Sequence, residues 1–236
     1  MSTILISGAN RGLGLEFARQ YAADGWTVLA ASRSGSDALS QLADSHANVE
    51  LFELDVADAA SIAKLSDEIG ERPIDVLLNN AGFYGSVGFA EGGIEHQAFG
   101  DTDYENWAKV MEVNVFAPMR MAETFVDRVA ASEQKKVVTL SSMLGSMELN
   151  TIGGLYAYRS SKAAVNMVMK SMGLDLMKLG VRAVAMHPGW AKTDMGGPDA
   201  EIEPAEGVTG IRQVIAALAD EHMGKLVAYD GSILPY

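Results

Sequence analysis

The chain has 236 residues, of which 48% are hydrophobic and 21% charged, so it is long enough to bury the core of one α/β domain. Its formal net charge of −13 disfavours a nucleic-acid partner or an anionic membrane surface, because an acidic surface gains nothing from counterion release. The chain has no cysteine, which excludes disulfides, thiolate metal sites and a cysteine nucleophile.

The chain contains no apolar run of the roughly 18 residues that a membrane span needs, and Met1–Asn10 enters an apolar segment without a basic leader. We therefore expect a cytoplasmic protein with no membrane partner. The four histidines lack the HxH and HExxH spacings of metal sites, so we expect no metal.

Apolar, β-branched runs alternate with segments of helical periodicity along the whole chain, which predicts βαβ units. The predicted strands are Thr3–Ser7, Thr27–Ala31, Val49–Leu54, Ile74–Leu78, Lys136–Leu140, Val181–Met186 and Lys225–Tyr229. The predicted helices are Leu13–Asp24, Ala59–Ile69, Asp103–Ala131, Tyr156–Leu179 and Pro204–Leu218. Right-handed crossovers then give a Rossmann-type, doubly wound, seven-stranded parallel sheet with helices on both faces.

No repeat or linker interrupts this pattern, so residues 1–236 are expected to form a single dinucleotide-binding domain. Two segments are predicted to be loops, Phe83–Asp101 and Trp190–Pro204, and both contain several glycines or prolines. Long loops in compact domains usually carry function, so both are expected near the site.

A glycine-rich turn follows the first predicted strand and opens a helix, with the sequence Gly8-Ala9-Asn10-Arg11-Gly12-Leu13-Gly14. Gly8 would permit a tight turn, Gly12 a close approach to a pyrophosphate, and Gly14 packing of the helix on the strand. Strand, glycine turn and helix together favour a dinucleotide at the helix N-terminus. The alternative is a glycine turn without a ligand.

The second strand is followed by Ser32-Arg33, where an acidic residue would otherwise bind the ribose 2′-hydroxyl of NAD. The guanidinium of Arg33, with Arg11 as a second donor, favours the 2′-phosphate of NADP instead. The alternative is that both are ordinary surface arginines, so NAD remains the less favoured cofactor.

Tyr158 and Lys162 lie four residues apart in a predicted helix, so their side chains share one face. A lysine ammonium beside a phenol is expected to lower the tyrosine pKa toward working pH, as a general acid or base needs. The alternative is a tyrosine that packs against the lysine stem.

Several short motifs follow one another in a fixed order along the chain. They are Gly8/Gly12/Gly14, Asp55, Asn79-Asn80-Ala81-Gly82, Asn114, Ser141-Ser142, Tyr158/Lys162 and Pro188-Gly189. In this order the chain resembles the short-chain dehydrogenases/reductases over essentially its whole length. It is similar in particular to the C-factor and sniffer-type carbonyl reductases, through the runs Tyr156–Lys162, His187–Gly197 and Tyr229–Ser232.

The resemblance implies a role for each of four side chains. Tyr158 would be the proton donor, and Lys162 its pKa partner and a ribose ligand. Ser142 would donate to the carbonyl oxygen, and Asn114 would anchor a water relay. Ser142 is preferred to Ser141 because the second serine is the usual catalytic one in the family, although Met143–Leu155 is an enlarged loop in this chain.

The resemblance also implies further cofactor contacts. Asp55 and Val56 would contact the adenine; the segment Asn80-Ala81-Gly82 would lie beside the adenosine ribose. Pro188, Gly189 and Thr193 would hold the nicotinamide side. Alternatives are that Asn80 satisfies backbone groups at a strand end and that Thr193 caps a helix.

The expected function is hydride transfer between NADP(H) and an aldehyde, ketone or alcohol. The rival is a C-factor-like signalling protein that retains a dinucleotide fold. The helices Asp103–Ala131 and Tyr156–Leu179 have apolar faces, and the resemblance implies that they pair across a dimer, so we also expect a homodimer.

Overall fold

Eight strands form one sheet in the computed structural model, which describes residues 1–88 and 93–236. They are β1 (Thr3–Ser7), β2 (Thr27–Ser32), β3 (Val49–Glu53), β4 (Val76–Asn79), β5 (Lys136–Leu140), β6 (Arg182–His187), β7 (Leu226–Ala228) and β8 (Ile233–Leu234). The order across the sheet is β3-β2-β1-β4-β5-β6-β7-β8. The order runs outward in both directions from β1 and β4, so the predicted doubly wound, Rossmann-type fold is confirmed.

The sheet differs from the predicted one at its last edge. Seven parallel strands were expected, and the structure adds β8, which pairs antiparallel with β7. This strand has only two residues, too few for any alternation of side chains to indicate it. A tight turn at Asp230, whose carboxylate accepts from the backbone of Ser232, returns the chain to the sheet.

The helices cover both faces of the sheet. They are α1 (Gly12–Ala23), α2 (Asp37–Ser45), α3 (Ala59–Ile69), α4 (Tyr104–Met111), α5 (Ala117–Ala130), α6 (Tyr156–Asp175) and α7 (Pro204–Ala216). One wide π-helical turn, Glu112–Phe116, joins α4 to α5, so the predicted helix Asp103–Ala131 is nearly continuous. None of the described helices is long and apolar enough to cross a membrane.

Alternate residues of each strand supply two cores, one on each face. Along β1, Ile4 and Ile6 join the core that includes Phe17 of α1, whereas Leu5 joins the core that includes Phe125 of α5. All five side chains are fully buried. Packing on both faces holds the carboxyl ends of the strands at one edge of the sheet, where loops meet.

The helix α2 was not predicted from the sequence. It begins after Ser36, whose hydroxyl accepts from the backbone N–H of Leu39 at 3.2 Å and donates to the carbonyl of Asn10 at 2.7 Å. Its apolar residues Leu39 and Leu42 form only one short buried row, which gives a weak periodic signal. The capping serine was the stronger sequence signal.

We expect Ser36→Ala to lower the free energy of unfolding by about 1 kcal/mol, because it removes the N-cap of α2. Chemical denaturation of the variant and the parent measures the difference. Ser40→Ala is the matched control, since Ser40 is exposed within the same helix and its loss should change stability by under about 0.5 kcal/mol. Equal stability of Ser36→Ala and the parent would contradict the capping role.

Candidate functional site

A cavity of about 800 Å³ lies where the carboxyl ends of the parallel strands meet. Most of the residues predicted to bind a cofactor line it, namely Gly8, Asn10, Arg11, Gly12, Leu13, Gly14, Arg33, Asp55, Val56, Asn80, Ala81, Gly82, Tyr158, Lys162, Pro188 and Thr193. These residues come from the ends of six strands and the segments that follow them. The structure therefore brings these predicted residues together at one edge of the sheet.

The cavity also has lining residues that were not predicted. They are Ser34, Leu54, Ala57, Phe83, Lys109, Glu112, Val113, Leu140, Ser141, Asp194 and Met195. Most of these are sequence neighbours of predicted positions. Lys109, Glu112 and Val113 were detectable in another way, because spacings of three and four residues place them on one face of a predicted helix.

The glycine turn has the geometry of a phosphate cradle. Gly8 and Gly12 have φ angles of 71° and 53°, which favour glycine, and a Cβ atom on Gly14 would lie 2.1 Å from the carbonyl oxygen of Gly8. Among the described residues no side chain caps the first turn of α1. The first backbone N–H groups of α1 belong to residues that line the cavity, so they are suited to an anion there.

The two arginines expected at a 2′-phosphate differ in their surroundings. Arg33 is exposed and lines the cavity. Arg11 instead forms an ion pair with Asp194 at 2.6 Å, between exposed side chains. Ser32 is not among the residues that line the cavity, because it is buried and donates to the carbonyl of Ser34 at 3.0 Å. Ser34 takes the place that was predicted for Ser32.

Three other predicted residues fix the turns around the cavity. The amide of Asn80 donates to the carbonyls of Ser7 and Gly8 at 2.9 and 3.0 Å, which is the alternative role considered for it. Thr193 closes a turn by accepting from the backbone of Gly196 at 3.2 Å. Gly189, with φ of 78°, packs against Ile202 and does not line the cavity, whereas Pro188 does.

Tyr158 and Lys162 are buried side by side on α6, as their spacing predicted. The Nζ atom of Lys162 lies 5.6 Å from the centre of the Tyr158 ring and donates to the carbonyl of Leu140 at 2.9 Å. The Ser142 side chain is near enough to the Tyr158 hydroxyl for hydrogen bonding between them to lower the pKa of the phenol. The cavity thus ends at the Tyr158 phenol and the Lys162 ammonium, while Ser142 is not among its lining residues.

The predicted lowering of the Tyr158 pKa by Lys162 is wrong for this structure. Burial raises the pKa of Tyr158 to about 12, and the hydrogen bond with Ser142 offsets this only in part. Burial also lowers the pKa of Lys162 to about 8. The Lys162 ammonium donates to the carbonyl of Leu140, and burial of the phenol is the largest effect on the pKa of Tyr158. At neutral pH the phenol is protonated, so it can donate a proton.

The two serines at the end of β5 have separate roles. The hydroxyl of Ser141 donates to the Oδ1 atom of Asn166 in α6 at 2.6 Å, so its proton is already used in a hydrogen bond within the protein. Ser142 bonds to Tyr158 and accepts from the backbone of Leu144 at 3.1 Å. The enlarged loop Met143–Leu155 therefore still leaves Ser142, the predicted serine, in contact with the tyrosine.

Asn114 lies in the π-helical turn and is buried. Its amide donates to the carbonyl of Phe83 at 2.8 Å and to the hydroxyl of Ser161 at 3.0 Å, while its oxygen accepts from the Phe83 N–H at 2.8 Å. These bonds tie the segment after β4 to α6. The fourth predicted catalytic residue therefore lies behind Gly82, which does line the cavity.

No group of three or more metal-ligating side chains occurs among the described residues, which cover all of the chain except 89–92. The positively charged residues that line the cavity are Arg11, Arg33, Lys109 and Lys162, and the negatively charged ones are Asp55, Glu112 and Asp194.

Comparison with known proteins gives relatives over the whole chain. A family model described as short chain dehydrogenase matches residues 2–203. The protein named C-signal from Myxococcus xanthus is 40% identical over 164 residues, which cover 70% of this chain and 93% of the relative.

Two solved structures share the fold closely. The carbonyl reductase Sniffer of D. melanogaster has a TM-score of 0.89 at 29% identity, with 100% of both chains covered. An NADPH-bound carbonyl reductase from chicken fatty liver has a TM-score of 0.89 at 28% identity, with 100% of this chain and 99% of that chain covered. The family model, the sequence relative and the fold agree, and the chain belongs to the short chain dehydrogenase family of oxidoreductases.

Proposed function

We propose that the protein is an NADP(H)-dependent carbonyl reductase that acts on small aldehydes, ketones or quinones. The observation that carries the proposal is the buried phenol of Tyr158, beside Lys162 at one end of a cavity whose other end is the glycine turn before α1. A proton donor and a dinucleotide cradle in one cavity are the two parts that a carbonyl reduction needs.

The residues present fit a dinucleotide. A side chain on Gly14 would collide with the carbonyl of Gly8, so only glycine lets α1 begin this close to the turn. The open first turn of α1 offers N–H groups to the pyrophosphate, and Pro188 and Thr193 line the nicotinamide side. Asp55 and Val56 are suited to the adenine, and Lys162 to a ribose hydroxyl. When bound, the cofactor supplies a hydride to the carbonyl carbon.

The protein's own residues then handle the oxygen of the carbonyl group. Tyr158 donates its proton to that oxygen, and Ser142 donates a hydrogen bond to the same atom as negative charge develops. The Lys162 ammonium, 5.6 Å from the ring, stabilises the phenolate that Tyr158 leaves behind. Asn114 holds the Phe83 backbone and Ser161, and through them the wall behind Gly82; a bound water at that wall would complete a proton path to solvent.

The preference for NADP rests on charge at the end of β2. Arg33 is exposed on the cavity and no acidic residue stands beside it in the run Ser32-Arg33-Ser34. Arg11 is engaged by Asp194, so Arg33 is the main candidate for the 2′-phosphate. The solved carbonyl reductase from chicken fatty liver binds NADPH, which supports the same cofactor here.

We expect Arg33→Ala to weaken NADPH binding by roughly 1.5–3 kcal/mol, the range for a hydrogen bond to a charged group, and to leave NADH binding nearly unchanged. Titration of both cofactors against the variant and the parent measures this. Arg19→Ala is the matched control, because Arg19 is largely exposed on α1 and does not line the cavity. If the parent binds NADH as tightly as NADPH, the preference for NADP is wrong.

The proposed activity is tested by a screen of aldehydes, ketones and quinones with NADPH and with NADH, followed at the nicotinamide absorbance. The proposal expects turnover with NADPH on at least one carbonyl class. A second candidate, a signalling role, is favoured by the 40% identity with C-signal. Cofactor binding with no turnover in the whole screen would favour that candidate. Cytoplasmic location and homodimer formation stay predictions.

A further inference from the structure

The side-chain amide of Gln97 joins the proposed catalytic tyrosine to the segment after β4. Gln97 is only 2% exposed. Its Oε1 atom accepts from the backbone N–H of Tyr158 at 2.8 Å, and its Nε2 atom donates to the carbonyl of Tyr84 at 2.9 Å. Each polar atom of the Gln97 amide therefore makes a hydrogen bond, one with Tyr158 and the other with Tyr84.

The start of α6 depends on this contact. Leu155 precedes the helix in a left-handed conformation with φ of 53°, and among the described residues no side chain from that position caps it. Tyr158 is the third residue of the helix, so its N–H has no partner inside the helix. Gln97, 61 positions away in the sequence, supplies the acceptor that an N-cap side chain would normally supply.

The other end of the amide holds the wall against which the phenol packs. The rings of Tyr84 and Tyr158 lie 5.1 Å apart between centroids, in a cluster with Leu155. The backbone near Tyr84 is also held by two further buried amides: Asn114 binds Phe83, and Asn106 accepts from Ser86 at 2.8 Å. Of these amides, Gln97 is the one that also contacts Tyr158.

We propose that Gln97 is a positioning residue for Tyr158: its amide fixes the first turn of α6 and the Tyr84 wall together, and so holds the phenol against Ser142. The proposal rests on the proposed role of Tyr158 as proton donor. It predicts that Gln97 affects the chemical step without touching substrate or cofactor. A displacement near 1 Å at a reacting group is enough to lower a rate on the order of a hundredfold.

The pH dependence of turnover reports this placement. The bond with Ser142 lowers the pKa of Tyr158 against the effect of burial, so loss of that bond raises the pKa further. The titratable groups that face Tyr158 are Tyr84 from the segment after β4 and Lys162 from its own helix, with Arg159 beside it as a fixed charge. All three remain in the Gln97 variants.

The test compares Gln97→Met, which removes both hydrogen bonds at nearly constant volume, with the parent enzyme. We expect kcat to fall on the order of tenfold or more, NADPH affinity to stay within about twofold, and the alkaline limb of the kcat profile for reduction to move to higher pH. Gln97→Asn, which is too short to reach both partners, is expected to show the same changes at smaller size and serves if Gln97→Met does not fold.

The matched control is Asn106→Leu, which frees the same segment at Ser86 without contacting Tyr158. This control variant should lower the free energy of unfolding and leave the alkaline limb of the kcat profile at the pH found for the parent. The proposal is overturned if the folded Gln97 variants keep kcat and the pH limb of the parent, or if Asn106→Leu moves the limb equally. Tyr158→Phe distinguishes failure of the proposed proton donor from failure of the positioning role. If Tyr158→Phe is inactive while Gln97→Met has normal activity, only the positioning role of Gln97 is wrong.

Discussion

Replacing Tyr158 with phenylalanine is expected to lower kcat on the order of a hundredfold or more, the usual scale for loss of a general acid. The variant keeps the ring that packs on Tyr84 and loses only the hydroxyl that bonds to Ser142. Fold and NADPH binding should therefore be retained. Steady-state kinetics at saturating NADPH, together with a cofactor titration, measure both quantities.

Tyr156→Phe is the control for this substitution. Tyr156 lies in the same first turn of α6 but is 39% exposed and does not line the cavity, so its variant should keep kcat within about twofold. If purified Tyr158→Phe turns over within about threefold of the parent, Tyr158 is not the proton donor, because a general acid contributes far more than that.

Replacing Gly14 with alanine is expected to disrupt the cofactor cradle. The new Cβ atom would lie 2.1 Å from the Gly8 carbonyl oxygen and 2.5 Å from the Asn80 amide nitrogen. The first partner is backbone, so the turn or α1 must move, at a cost of about 1–3 kcal/mol in stability. Because the displaced turn presents the N–H groups, NADPH affinity should also fall on the order of a hundredfold.

Gly35→Ala is the matched control for Gly14→Ala, since a Cβ atom at Gly35 would meet nothing within 4 Å and its φ angle is not in the glycine-favoured region. Denaturant unfolding and NADPH titration are run on both variants. If Gly14→Ala binds NADPH as the parent does, the turn is not the pyrophosphate site.

Features that depend on local sequence were predictable. Most of the parallel strands are buried on both faces and read as continuous apolar runs, whereas the edge strand β3 has exposed residues at Leu51 and Glu53. The glycine turn is a motif of seven consecutive residues. Tyr158 and Lys162 were placed together because a helix fixes the geometry of residues four apart. The edge strand β8 and the helix α2 were missed because each presents too short a pattern.

Features that depend on contacts between distant residues were not predictable. The ion pair of Arg11 joins it to Asp194, 183 positions later, and only the fold shows that this guanidinium is engaged. The pKa of Tyr158 depends on how deeply its side chain is buried and on which atom Lys162 contacts. The four-residue spacing of Tyr158 and Lys162 determines neither of these. The contact of Gln97 with Tyr158 was likewise not predictable, because it forms only when the segment that follows β4 packs against α6.

The most direct test of the account is to follow the hydride itself. NADPH that carries deuterium at both positions of carbon 4 of the nicotinamide ring is incubated with the protein and the best aldehyde or ketone from the screen, and the alcohol product is analysed by mass spectrometry and NMR. We expect deuterium on the former carbonyl carbon, and we expect Tyr158→Phe to form this labelled alcohol on the order of a hundredfold more slowly. A product without deuterium at that carbon, or cofactor oxidation without alcohol formation, would contradict the account.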